Sequence, residues 1–261
     1  MQRWTNGEAY DPYMGRWSHA VAAQFLPWLA VPKHATWVDV GSGTGVVIRA
    51  LLDAQEPTRV MGIDRSAAYL AFAQHHITDP RVAWVVGEAE HLPVADASWD
   101  VVVAGLLVNF VPHPDQAVRE WRRVVRSQGT VAAYVWDYVD GMPLNQVFWA
   151  AVAQLQPDPQ VEEERHQFDQ WQPSVLTHLW QEAGLVDIQT TSIHLPMVFA
   201  DFADFWTPFL GGQGTAPEYY QALPETMRIH LRETLHAALP LRADGSLHLA
   251  ARAWAIQGRV A

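Results

Sequence analysis

Three glycines alternate with small polar residues in Gly41-Ser42-Gly43-Thr44-Gly45, directly after the apolar run Trp37-Val38-Asp39-Val40. Bare backbone admits a ligand where any side chain would collide with it. Val46, Val47, Ile48, Leu51 and Leu52 follow at helical spacing, so the unit reads as strand, glycine turn and helix. Such a unit is the ligand-binding first crossover of a doubly wound α/β sheet. A dinucleotide site wants G-x-G-x-x-G, the third glycine bringing the helix close to a pyrophosphate. The corresponding residue here is Val46, which argues for a ligand without phosphates.

Three more polar features fall at the ends of expected strands. Asp64 follows Val60-Met61-Gly62-Ile63 and puts a carboxylate where it can accept hydrogen bonds from both hydroxyls of a ribose. Glu88-Ala89-Glu90 follows the strand Val82–Val86, with a backbone N–H and an acidic side chain to read the edge of an adenine. Ala104-Gly105-Leu106 ends the strand that starts at Trp99 and offers backbone carbonyls to an amino group. Open α/β sheets bind ligands beyond the carboxyl ends of their strands, and in this order the four features outline one nucleoside-shaped cleft.

The elements that must position these groups are legible from patterning. Strands and helices alternate from Trp37 to about Trp136, which implies a parallel sheet with helices on both faces. Ser66 is the expected N-cap of a helix carrying Tyr69, Leu70 and Phe72, and Pro114 opens another. Arg119, Arg122, Arg123 and Arg126 then read as a solvated helix face opposite Val118, Trp121 and Val125, and Thr130 to Trp136 as the fifth strand. Beyond it the alternation breaks. Residues 143–170 look helical, Ser174 to Ala183 is a helix ended by Gly184, and Val186 to Leu195 is a strand. An aromatic-rich helical stretch over 200–240, around Gly211-Gly212-Gln213-Gly214, precedes a final strand from Leu247 to Ile256, expected to pair with the strand before that stretch. Phe199, Phe202, Phe205, Trp206 and Phe209 sit at near-helical spacing and read either as an apolar lid over an acceptor pocket or as an ordinary core face.

Composition removes several function classes. A net charge of -11 over 261 residues weighs against nucleic acid as a partner. The absence of cysteine excludes disulfides, thiolate metal sites and Cys nucleophiles. The first residues lack the apolar core of a signal peptide, and no apolar run approaches a membrane span, so a soluble cytoplasmic protein is expected. Glu-x-x-His occurs at Glu88 and His91, Glu163 and His166, and Glu233 and His236, raising a metal-dependent hydrolase. One pair falls on a loop and the inward Glu partners are missing, so no metal site is expected.

The motifs together resemble the class I S-adenosylmethionine-dependent methyltransferases. Val38 through Gly45 matches the family's first motif, Gly62-Ile63-Asp64 its second acidic position, Gly87 through Pro93 the motif after the third strand, and Trp99-Asp100-Val101-Val102-Val103 the fourth strand. Val108-Asn109-Phe110-Val111-Pro112-His113-Pro114, Glu120 through Val125 and Tyr10 through Ser18 are similar to the ubiquinone/menaquinone-biosynthesis-like group of small-molecule enzymes. The resemblance covers Tyr10 to Trp136 with specific motifs and the remainder only loosely. It implies a Rossmann-like, seven-stranded, mostly parallel sheet with the last strand antiparallel and a helical insertion before it. It also implies one methyltransferase domain over 1–261, divided into an N-terminal helical cap (1–35), a cofactor-binding core (36–136) and substrate-lid insertions (137–172 and 196–245).

The implied cofactor is S-adenosyl-L-methionine, released as S-adenosyl-L-homocysteine, and the implied partner is a small, largely apolar methyl acceptor. On that resemblance Gly41, Ser42, Gly43 and Gly45 meet the methionine moiety, and Asp39 orients the loop and reaches the amino end through water. Asp64 holds the ribose, Arg65 lies along the adenine face, and Glu88 and Ala89 contact the ring. Arg16 suits the cofactor carboxylate, since a guanidinium matches that fork bidentately, and Trp17 packs over the site. Ala104 and Gly105 stand where relatives often carry a polar residue, which leaves backbone contacts there and removes a side-chain one. A general base is needed only if the acceptor loses a proton; Asp137, His113 and Tyr138, after strands four and five, are the candidates. Two other functions fit parts of the pattern: a nicotinamide-dependent oxidoreductase, opposed by Val46, and a non-catalytic module that binds S-adenosylmethionine without turnover.

Overall fold

Strands that are apolar on both faces need helices on each side, and the chain supplies them by alternation. The computed structural model describes residues 15–156, 166, 168–211 and 214–261. Tyr10 to Met14 of the N-terminal motif, Glu163 and the Gly212-Gln213 centre of the glycine-rich loop lie outside the described residues. The elements run α1 (Arg16–Trp28), β1 (Thr36–Val40), α2 (Val46–Ala54), β2 (Arg59–Asp64), α3 (Ala67–His76), β3 (Val82–Val86), β4 (Trp99–Gly105), α4 (Pro114–Val124), β5 (Val125–Trp136), α5 (Pro143–Leu155), α6 (Pro173–Glu182), β6 (Leu185–Phe199), α7 (Phe202–Trp206), α8 (Thr215–Ala222), α9 (Glu225–Ala238) and β7 (Leu247–Val260). The seven strands form one sheet in the order β3-β2-β1-β4-β5-β7-β6. β1 pairs in parallel with β2 and β4, β2 with β3, and β4 with β5, whereas β7 is antiparallel to β5. The doubly wound, mostly parallel sheet with an antiparallel last strand is therefore present as expected.

Two compact units divide the chain. One holds Ser18–Trp136, Trp171–Ile193 and Ala253–Ala261, and the other the described residues of Asp137–Gln170 and His194–Arg252 together with Gly15, Arg16 and Trp17. In the first unit β1, the centre of β4 and the end of β5 are almost wholly buried, from Trp37 and Val38 to Val101, Val102, Val131 and Val135. Phe25 of α1 meets Tyr134 of β5 edge-on at 4.8 Å, and Trp121 of α4 meets Trp180 of α6 at 6.3 Å. The Trp180 indole N–H donates to the Val131 carbonyl at 3.0 Å. In the second unit Phe148 stacks on Phe209 at 4.8 Å and Phe202 on Trp206 at 6.0 Å. No helix among the described residues is long and apolar enough to cross a membrane.

Local chemistry accounts for most boundaries. Ser66 caps α3 by accepting from the Tyr69 amide at 3.3 Å, as its type suggests. Gly184 ends the stretch after α6 at φ +75°, a conformation that favours glycine. β5 begins five residues earlier than the hydrophobic run indicates. Val125 pairs with Trp99, the register then shifts, and pairing resumes at Thr130 with Val101. Arg126 is therefore a strand residue, salt-bridged at 3.0 Å to Asp100, whose other oxygen accepts from the amide and hydroxyl of Thr36, both at 2.8 Å. This knot ties the starts of β1, β4 and β5 at the end of the sheet away from the glycine turn.

Gly43 and Gly45 both take left-handed backbone, φ +50° and +86°, but they differ in what surrounds them. A Cβ on Gly45 would lie 2.6 Å from the Ile77 side chain, whereas one on Gly43 meets nothing nearer than the Gly41 carbonyl at 3.9 Å. Gly43→Ala should thus cost the backbone term alone, about 1–2 kcal/mol. Gly45→Ala should add overpacking worth about 1–3 kcal/mol more. Urea unfolding of both variants checks this, with equal losses as the contrary result.

Candidate cofactor site

The site is built on the tips of β1 and β2. Asp39 is 1% exposed, and neither carboxyl oxygen has a hydrogen-bond partner among the described residues. Burial first, and the neighbouring Asp64 charge second, push its pKa well above the usual carboxylate range. The Ser42 hydroxyl is buried and unpartnered as well. Above them the glycine turn is laced to β2. Gly41 and Ser42 donate to the Ile63 carbonyl at 2.7 and 3.0 Å, and Gly45 donates to the Ser42 carbonyl at 2.8 Å. Gly43 donates to one Asp64 oxygen at 2.9 Å, and Ser66 to the other at 2.8 Å.

Asp64 therefore does more than the sequence indicates: its carboxylate ties the turn to β2 before any ligand arrives. A carboxylate has about four acceptor positions, so two remain for hydroxyls. Burial raises its pKa, opposed by the Ser66 and Gly43 amides and by Arg65, which is exposed beside it. α2 starts from Gly45 with no side-chain cap, so its first amides are left open near the turn. Val46, where a dinucleotide loop carries its third glycine, is buried.

These features test whether an adenosyl amino acid suits the residues present. A buried acid without a donor favours a ligand that brings an amino group. The clear space over Gly43 gives that ligand room, and Asp64 retains acceptors for a ribose. The donor set fits.

The Asp64 carbonyl accepts from Gly87 at 3.1 Å, which joins the turn after β3 to the same tip. Glu88 to His91 forms a turn closed by the His91 amide on the Glu88 carbonyl at 3.1 Å, with the Glu88 side chain exposed. α4 grips this stretch. The Trp121 indole donates to the Ala89 carbonyl at 3.0 Å, and the Leu92 amide donates to Glu120 at 2.7 Å. Arg123 pairs with Glu120 and Asp96 and donates to the Leu92 and Val94 carbonyls at 3.2 and 2.9 Å. The arginine run is accordingly not a uniform solvated face: Arg119 pairs with Asp115 in the open, while Arg123 is a clamp.

At the tip of β4, Ala104 is fully buried and pairs with Ala133. A Cβ on Gly105 would lie 2.6 Å from the Tyr134 hydroxyl and 2.9 Å from Val47. A polar group is thus present at this tip, but it comes from β5. His113 precedes α4 with an exposed side chain, its backbone N–H donating to Glu90 at 3.4 Å.

Four candidates belong to the other unit. Arg16 is ion-paired with Asp204 at 3.2 Å, and its guanidinium lies over the Trp17 and Phe199 rings at 4.4 and 4.8 Å. Asp137 is buried and accepts from Arg252 Nε at 2.7 Å and from the Val139 and Asp140 amides at 3.2 and 3.4 Å, with Arg252 Nη2 2.5 Å away. Tyr138 packs on Phe168 at 4.8 Å. All five aromatic residues from Phe199 to Phe209 are buried against one another and against Phe148, the arrangement of a core face. Sequence reasoning missed Glu120, Trp121, Arg123 and Tyr134 as parts of the site. No local signal marks them, because each acts on a residue about 28–32 positions away or at a strand register visible only in three dimensions.

Known proteins resemble this chain in sequence and fold. Residues 38–133 match the family model described as a methyltransferase domain. The chain is 29% identical over 139 residues to the ubiquinone/menaquinone biosynthesis C-methyltransferase UbiE of Bartonella tribocorum, a match that covers 51% of this chain and 52% of that protein. It is 35% identical over 123 residues to the biotin biosynthesis bifunctional protein BioHC of Cellvibrio japonicus, covering 46% of this chain and 23% of the other. The match therefore spans about half the length of the first relative and less of the second. The phosphoethanolamine N-methyltransferase 2 of Haemonchus contortus, solved in complex with S-adenosyl-L-methionine, has a similar fold, with a TM-score of 0.59 at 15% identity over 98% of this chain and 57% of that one. Over residues 38–133, then, the chain is similar to methyltransferase domains.

Proposed function

We propose that this protein transfers a methyl group from S-adenosylmethionine to a small, largely apolar acceptor. The observation that carries the reading is the unpartnered Asp39 carboxyl beneath an open glycine turn, next to an Asp64 that keeps free acceptor positions. The relative named for ubiquinone and menaquinone biosynthesis supports an apolar acceptor.

When bound, the cofactor supplies a methyl on a positively charged sulfur that departs as a neutral thioether. The chain's own part is placement. Asp39 and Ser42 offer acceptors to the amino end, Asp64 to the ribose hydroxyls, and the turn at Glu88-Ala89 meets the base, with Arg65 beside it. Alignment of acceptor and methyl is worth up to about 7–11 kcal/mol of the barrier. Asp137 already accepts from two turn amides and Arg252, so His113 is the better-placed base wherever the acceptor must lose a proton.

The ionisation of Asp39 gives this reading a pH signature in the ligand-free protein. Its folded pKa is raised above the unfolded value, so its contribution to stability is complete below the ordinary carboxylate range and is lost as pH rises through the raised value. Unfolding free energies measured from about pH 4 up to neutrality should show the wild type losing ground to Asp39→Asn as pH rises, and parallel profiles count against it. For function, incubation with methyl-labelled cofactor and a panel of quinols, phenols and fatty acids should yield labelled product and S-adenosylhomocysteine. Asp64→Ala should keep the fold and weaken S-adenosylhomocysteine binding by about tenfold or more in calorimetry, since it removes a charged acceptor and unties the turn. Tight cofactor binding with no turnover on any acceptor would instead favour a binding module.

A further inference from the structure

The turn after β3 is held from behind. Within residues 88–98 the loop leans on α4 and the residues that flank it at nearly every step: Glu90 on the His113 amide, Ala89 on the Trp121 indole, Leu92 on Glu120, Val94 and Asp96 on Arg123, and the Ala97 and Ser98 amides on the Arg123 and Val124 carbonyls, both at 2.9 Å. Most of these bonds fix where the loop runs. The Trp121 bond does something more specific, because it fixes the plane of one peptide. In a trans peptide the carbonyl and the following N–H point in opposite directions. The Ala89 carbonyl turned onto the Trp121 indole therefore sends the Glu90 N–H away from α4. The turn is closed by the His91 amide on the Glu88 carbonyl, so its two central amides, those of Ala89 and Glu90, stay out of that bond.

We propose that Trp121 is a positioning residue for base recognition: its buried indole N–H sets the orientation of the Ala89–Glu90 peptide, and with it the hydrogen-bonding edge shown to the purine. This rests on the cofactor reading above. Trp121 is completely buried and packs on Trp180, so a purely structural role in the core is the competing account. The two accounts differ in what they do to base discrimination. A purine with the adenine pattern presents an acceptor at N1 and an amino group beside it; the deaminated, inosine-type purine presents a donor and a carbonyl instead. A turn with a fixed peptide distinguishes them, and a turn whose peptide can rotate does so less well.

The test compares wild type with Trp121→Phe, which keeps an aromatic ring and removes the N–H. Calorimetric affinities for S-adenosylhomocysteine and S-inosylhomocysteine are measured for each, with the thermal midpoint recorded alongside. Loss of one hydrogen bond should weaken S-adenosylhomocysteine by about three- to tenfold while leaving the inosine analogue nearly unchanged, so the discrimination ratio falls. Equal weakening of both ligands overturns the proposal in favour of general loosening, as does an unchanged ratio. Glu120→Gln, on the same frame but holding Leu92, serves as the comparison: it should weaken both ligands together. It also covers the case in which Trp121→Phe fails to fold, since a selective loss there would move the positioning role to Glu120 and refute the assignment to Trp121. Absence of any S-adenosylhomocysteine binding by the wild type would sink the cofactor reading itself, an outcome distinct from a failure of the Trp121 assignment.

Discussion

A carboxyl group taken out of water without a donor is costly, and this protein keeps one at the tip of its first strand. Asp39 is buried by the close packing around β1, an interior strand of the sheet with β2 on one side and β4 on the other. Its partner in charge, Asp64, sits one strand over and holds the glycine turn by the Gly43 amide. Two acids at adjoining strand tips repel each other, and the fold tolerates this because the turn amides compensate Asp64 and the raised pKa of Asp39 relieves the rest. The outcome is a local store of unfavourable electrostatics, and on the proposed reading a cationic ligand would relieve that penalty on binding.

The rest of the first unit serves to hold that tip still. The knot of Thr36, Asp100 and Arg126 fixes the far end of β1 and β4. Leu107, Ile77 and Trp84 fill the places where side chains on Gly41 and Gly45 would go, which closes the turn from behind and leaves Gly43 facing open space. α4 does the equivalent for the turn after β3, with Glu120, Trp121 and Arg123 reaching from one helix into one loop.

Much of this architecture was legible in the sequence because it is periodic. The strands from Trp37 to Trp136 alternate with helices whose caps, Ser66 and Pro114, carry their own chemistry, and the parallel sheet between helical layers followed from that alternation. The start of β5 was not legible, since Arg126, Ser127, Gln128 and Gly129 look like a turn and become strand only by pairing with Trp99 across a register shift. The glycine turn and Asp64 were read correctly as to place, but the Gly43–Asp64 bond joins residues 21 apart and leaves no local trace. The Arg252–Asp137 pair, 115 residues apart, is equally silent, and it gives Asp137 structural partners that its position after β5 does not announce. The basic run on α4 misled because charge pattern records which residues are cationic and says nothing of the carbonyls they will find.

The central claim is that Asp39 meets the ligand's cationic end. Calorimetric titration of wild type and Asp39→Asn with S-adenosylhomocysteine, at several pH values from about 4 to neutrality, measures that contact. The account predicts that Asp39→Asn weakens binding and flattens its dependence on pH. Saturable binding with unchanged affinity and an unchanged pH profile in Asp39→Asn would contradict it.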